Sequence, residues 1–78
     1  MMRSETLQPG IYEHYKGNRY EVIGCARHSE TEEVLVVYRA LYGDFGLWVR
    51  ALAMFTEMVI VEGRDVPRFR YVGPVVVS

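Results

Sequence analysis

The chain has 78 residues, 50% of them hydrophobic and 24% charged, with a formal net charge of -1. This is the composition of a folded domain rather than a disordered chain, and the length admits one domain only, because much smaller units struggle to bury a sufficient core. The near-neutral balance excludes a dedicated non-specific binder of nucleic acid or anionic membrane, which would carry a basic excess.

Met1 to Gln8 is polar apart from Met1, Met2 and Leu7. It reads as a flexible N-terminal arm over residues 1–8, without the apolar core of a secretory signal. Pro9-Gly10 punctuates the start of the ordered domain, assigned to residues 9–73. From there short runs rich in Tyr, Val and Ile, each bounded by Gly, Asn, Asp or Ser, carry the pattern of strands.

In "GIYEHY" Tyr12 and His14 share one face, and Ile11 and Tyr15 the other. "KGN" reverses the chain, because Gly17 and Asn18 tolerate positive backbone angles. In the next strand, "RYEVIGCARH", alternation places Tyr20, Val22, Gly24, Ala26 and His28 together, with Gly24 marking a bend or bulge. Simple pairing across "KGN" sets His14 opposite Glu21. "SETEE" is a polar turn, and "VLVVYRAL" is the near-continuous apolar strand expected at the centre of a sheet.

"YGDFG" turns the chain again, and "LWVR" follows with Trp48 and Arg50 on one face. "ALAMFTE" alone has helical propensity, and its length makes it a single turn or a 3-10 connector. "MVIVEG" is a strand, "EGRD" a turn, and "VPRFRYV" runs out extended with Pro67 confining it to an edge. Residues 74–78 form a C-terminal tail or a last edge strand. The chain is therefore expected to be all-β, an SH3-like barrel or strongly bent sheet of about five or six short antiparallel strands.

The motifs "HYKGNRYEV", "ARHSET", "VVYRALYG", "LWVR" and "VPRF", in this order and spacing, resemble a bacterial family of domains of unknown function, DUF1653. The resemblance runs from about Gly10 to Tyr71 and implies a small SH3-like barrel. It implies no activity. In the family pattern a proline usually follows the arginine of "WVR"; here Ala51 stands in its place, which weakens the expectation of a rigid turn after Arg50.

His28, Ser29 and Glu30 look like parts of a hydrolase triad, yet consecutive residues at a strand end project in different directions, so the string reads as turn chemistry. A metal site would need His14, His28, Cys25 and carboxylates to converge from separate strands, and none is expected. "GDFG" lacks the lysine and helix of a phosphate loop. Cys25, the only cysteine, reads as a small half-buried apolar residue; it excludes an intramolecular disulfide and points to a reducing, cytoplasmic location. No apolar run approaches the ~20 residues that span a bilayer.

Lys16 is the only lysine among nine basic residues. Arginine forks beside aromatic faces hold phosphates, carboxylates and bases by bidentate bonds and stacking. The expected ligand-binding set is Arg27, His28, Tyr38, Arg39, Tyr42, Trp48, Arg50 and Arg68, on a non-catalytic module without cofactor. Its partner would be a nucleotide, single-stranded nucleic acid or an acidic protein segment, and the module a monomer or weak homodimer. Two other readings stand beside it. One is a small enzyme or enzyme regulatory domain using His28 with Glu30, or His14, as an acid-base pair. The other is a homodimer through the edge strand "RFRYV" or "PVVVS".

Overall fold

A computed structural model describes residues 7–76; residues 1–6 of the expected 1–8 arm and residues 77–78 of the expected C-terminal tail lie outside the described residues. Pro9 gives way to β1 (Gly10–His14), and a tight turn leads into β2 (Arg19–Arg27). β3 (Val34–Ala40) and β4 (Leu47–Ala51) follow, then a single helical turn α1 (Leu52–Phe55). β5 (Met58–Val61), β6 (Arg64–Pro67) and β7 (Phe69–Gly73) complete the order. The chain is thus mainly β, as its alternating patterns require.

The strands form an antiparallel five-stranded sheet in the order β4-β3-β2-β1-β7 and a separate two-stranded hairpin, β5-β6. The expected closure into a barrel does not occur: β4 and β7 are the two edges of an open sheet. The reason lies at Arg68, where the extended run "VPRFRYV" breaks in two. The Arg68 N–H donates to the Glu57 carbonyl at 3.0 Å and its carbonyl accepts from Tyr15 N–H at 3.0 Å, so β6 stays with β5 while β7 crosses to β1.

Two further expectations are corrected by register. Glu13 pairs with Arg19 and Ile11 with Glu21, so His14 is not opposite Glu21. Its N–H donates to the Asn18 carbonyl at the mouth of a three-residue loop in which Gly17 adopts φ 109. In β2 the pairing with β3 shifts between Val22 and Gly24, leaving Ile23 as the bulged residue, 46% exposed. The bulge flips the alternation. Val22 is buried, and from there Cys25, rather than Gly24 or Ala26, packs against the core.

The core is largely aromatic. Tyr12, Val22, Val36, Tyr38, Phe55 and Phe69 form one buried cluster, with Leu7, Tyr20, Cys25, Leu52 and Tyr71 packed around it. α1 contributes one residue to it: Phe55 stacks on Phe69 at 3.9 Å and meets Tyr12 and Tyr38 edge-on. Rings in such offset and T-shaped contacts add about 0.5–1.5 kcal/mol each beyond the area they bury. The helix therefore pins one face of the sheet, and that face is where β4 delivers Trp48 and Arg50.

Candidate functional site on the helix-covered face

Cross-strand partners lie on the same face of a sheet. Trp48 is opposite Tyr38 and Arg50 opposite Val36, both of them buried, so Trp48 and Arg50 stand on the helix-covered face. Arg50 is half-buried there. Its guanidinium carbon lies 5.7 Å from the centre of the Phe69 ring, and Nε donates to the Tyr38 hydroxyl at 3.4 Å. Among the described residues it makes no ion pair. A guanidinium partly removed from water and lacking a carboxylate keeps its in-plane donors available for an anion.

Around it stands a ring of aromatic groups. Tyr20 meets Tyr38 at 5.4 Å and Phe69 at 5.5 Å, both edge-on, and its hydroxyl shares a 2.8 Å hydrogen bond with that of Tyr42. Burial, that bond and the neighbouring tyrosines push the Tyr20 hydroxyl up to about 12, with Arg50 opposing. His14 meets Phe69 at 5.0 Å. Burial lowers its pKa from 6.5, and the nearby charges of Arg50, Arg68 and Lys16 lower it further. The imidazole is therefore a neutral group held in a positive field.

The same imidazole lines a cleft of about 320 Å³ between the sheet and the β5-β6 hairpin, together with Glu13, Tyr15, Val61, Val66, Pro67 and Arg70. Glu13 is already committed in that cleft, to Arg19 at 3.0 Å and to Arg70 at 3.7 Å. His14 thus joins the cleft to the Arg50 cluster.

The expected binding residues separate into three groups. Arg50 meets Tyr38 directly, Trp48 is the cross-strand partner of Tyr38, and Tyr42 is linked to them through Tyr20, with Arg68 at the border, where it donates to the Met54 carbonyl at 3.1 Å and pairs with Glu57 at 3.0 Å. Arg39 sits on the opposite face across from Leu47 and donates to the Phe45 carbonyl at 3.2 Å. Arg27 ends β2, and His28 opens the β2-β3 turn beyond it. Arg27 donates to the Glu32 carbonyl at 3.2 Å, and His28 Nδ1 accepts from the Glu30 and Thr31 amides at 3.1 and 3.4 Å. His28 therefore meets the backbone of Glu30, and it organises the turn.

Tyr20 is absent from the sequence-derived set, and His14 appears there only as a metal or acid-base candidate. Tyr20 shares the core face with Val22, and that alternation before the bulge was the available signal. Phe69 became a neighbour only through the β1-β7 pairing, which no local pattern carries. No group of three or more His, Cys, Asp or Glu among the described residues could hold a metal ion, and no described helix is long and apolar enough to cross a membrane.

Residues 10–71 match the model of a family described as "Protein of unknown function (DUF1653)". A crystal structure of a DUF1653 protein from Bordetella bronchiseptica is similar to this fold, with a TM-score of 0.81 and 43% identity over 92% of this chain and 95% of that one. No curated protein matches.

Proposed function

The chain belongs to the DUF1653 family of unknown function, and from that starting point we propose that it is a non-catalytic binding module whose ligand is anionic and is anchored by Arg50. One observation carries this reading: a half-buried guanidinium framed by Tyr38 and Phe69 and left without a carboxylate partner among the described residues. Desolvation strengthens its attraction for an anion, and its planar fork suits phosphate or carboxylate. Trp48, the cross-strand partner of Tyr38 and 57% exposed, and Tyr42, bonded to Tyr20 and 44% exposed, offer ring faces for stacking. Phosphate beside a flat base satisfies both features, which favours a nucleotide or single-stranded nucleic acid over an acidic protein segment. The single Cys25 is consistent with work in a reducing cytoplasm.

Calorimetric titration of the wild type and Arg50→Ala with a nucleoside triphosphate, a short single-stranded oligonucleotide and an acidic peptide tests the reading. A charge-assisted hydrogen bond contributes about 1.5–3 kcal/mol. Loss of Arg50 is therefore expected to weaken the productive ligand by roughly tenfold to a hundredfold. Binding that survives Arg50→Ala unchanged, or no binding of any of the three, contradicts it.

A further inference from the structure

The free edge of β4 is the least finished part of the molecule. Leu47, Trp48 and Val49 are 56%, 57% and 60% exposed in succession at the end of the sheet. Natural edge strands are usually guarded by lysine, proline or a bulge. β4 has neither residue, and its pairing with β3 runs without a register shift. The opposite edge, β7, runs into Pro74.

The hydrogen-bonding register determines what can occupy the β4 edge. Ala40 N–H donates to the Gly46 carbonyl at 3.0 Å, and the β3-β4 pairing continues from there through Tyr38 with Trp48 and Val36 with Arg50. Bonded and non-bonded pairs alternate in an antiparallel ladder. Trp48 and Arg50 therefore turn their backbone groups toward β3, while Leu47, Val49 and Ala51 turn theirs outward. The outward set is symmetric about Val49. That is the condition for pairing with an identical strand across a two-fold axis.

We propose that β4 is a homodimer interface in which two copies of Leu47–Ala51 pair antiparallel about Val49, joining the two sheets into one. Val49 faces its own copy, and Leu47 faces Ala51 of the second copy, each pair exchanging backbone hydrogen bonds. Trp48 then falls opposite Arg50 of the second copy in a non-bonded pair, where side chains approach most closely, with Cα atoms about 4.5 Å apart. Indole against guanidinium is a cation-π contact, and the symmetry makes it twice. The strand thus carries its own complementary sequence, which selects a second copy over an arbitrary peptide. Stacking covers the faces of the guanidinium and leaves its in-plane donors open, so the dimer is compatible with anion binding and does not depend on it. A five-residue ladder is small beside the ~1,200–2,000 Å² of stable interfaces, so the dimer dissociates on dilution.

Sedimentation velocity between about 1 µM and about 1 mM tests the pairing, a range over which weak association becomes visible. The fluorescence of Trp48, the only tryptophan, is followed over the same range. The wild type is expected to pass from monomer to dimer as the Trp48 emission shifts to the blue. Val49→Lys and Val49→Glu each place like charges on the axis and are expected to be monomeric alone, and to dimerise again when mixed in equal amounts. Ala51→Pro keeps the fold, since Ala51 has φ -53, but deletes an outward N–H; its dimer is expected to be at least about tenfold weaker. A wild type that stays monomeric throughout, a dimer that none of these variants weakens, or a charge-paired mixture that remains monomeric overturns the proposal.

Discussion

His14 reports the field at the site through its own titration. Its imidazole is held below 6.5, first by burial and then by Arg50, Arg68 and Lys16. The folded protein therefore favours the neutral ring, and as pH falls the unfolded chain takes up the proton first. The corresponding stability is fully present above pH 6.5 and is lost as pH drops through the folded-state pKa. In urea melts between about pH 5 and 6.5, His14→Gln is expected to flatten the pH dependence of the midpoint, and an unchanged slope counts against the assignment. An anion on Arg50 offsets one of the repelling charges, so it should raise the His14 pKa. Gly10 is a second critical residue: it adopts φ 143, and a Cβ there would meet the Gly73 carbonyl oxygen at 2.7 Å and Tyr71 at 2.9 Å. Gly10→Ala is expected to cost more than about 1 kcal/mol in urea unfolding, because both the positive φ and the close approach oppose it.

At the scale of elements, α1 and the β5-β6 hairpin differ in how firmly they are held. α1 is anchored by Phe55, 1% exposed and stacked on Phe69. Phe55→Ala is expected to cost about 3–5 kcal/mol, most of what a domain of this size has, whereas Phe55→Leu should remain folded. The hairpin leaves Met58 and Ile60 at 52% and 73% exposure and contributes nothing to the buried cluster. A lone hairpin is marginal in water. Its turn also holds Glu62 at φ 51 beside Gly63 at φ 79, a pair of positive angles that Asn-Gly fits better than Glu-Gly. The β5-β6 amides are expected to exchange with solvent faster than those of β2-β3, and Glu62→Asn should slow them. Equal protection of both would show that the hairpin is packed more firmly than its exposure indicates.

Much of this was legible along the chain, because strand alternation, turn residues and the short helical run are local signals. Tyr20 and Val22 meet the core from the one face that alternation assigns them. What failed needed long-range information. One bulged residue, Ile23, moved Cys25 to the core face, and the break at Arg68 kept the sheet from closing. The arginines looked alike in sequence, yet pairing sent Arg39 to one face, Arg50 to the other and Arg27 to the end of β2. Residue type gave the chemistry of the candidate site, and register chose which arginine stands in it.

For the molecule as a whole, a small aromatic core coexists with exposed apolar side chains along β4 and β5, and Arg50, which has no carboxylate partner among the described residues, lies on the first of these. The proposed binding role rests on such a surface. The most direct test is the NMR signal of the arginine Nε–H groups during titration with a nucleoside triphosphate. The Arg50 signal is expected to shift and saturate together with the amides of Tyr38 and Trp48, while Arg27 and Arg39 stay in place. A saturating shift confined to Arg27 and the His28 turn, or to Arg39, with Arg50 unmoved, would contradict an anion site on the helix-covered face.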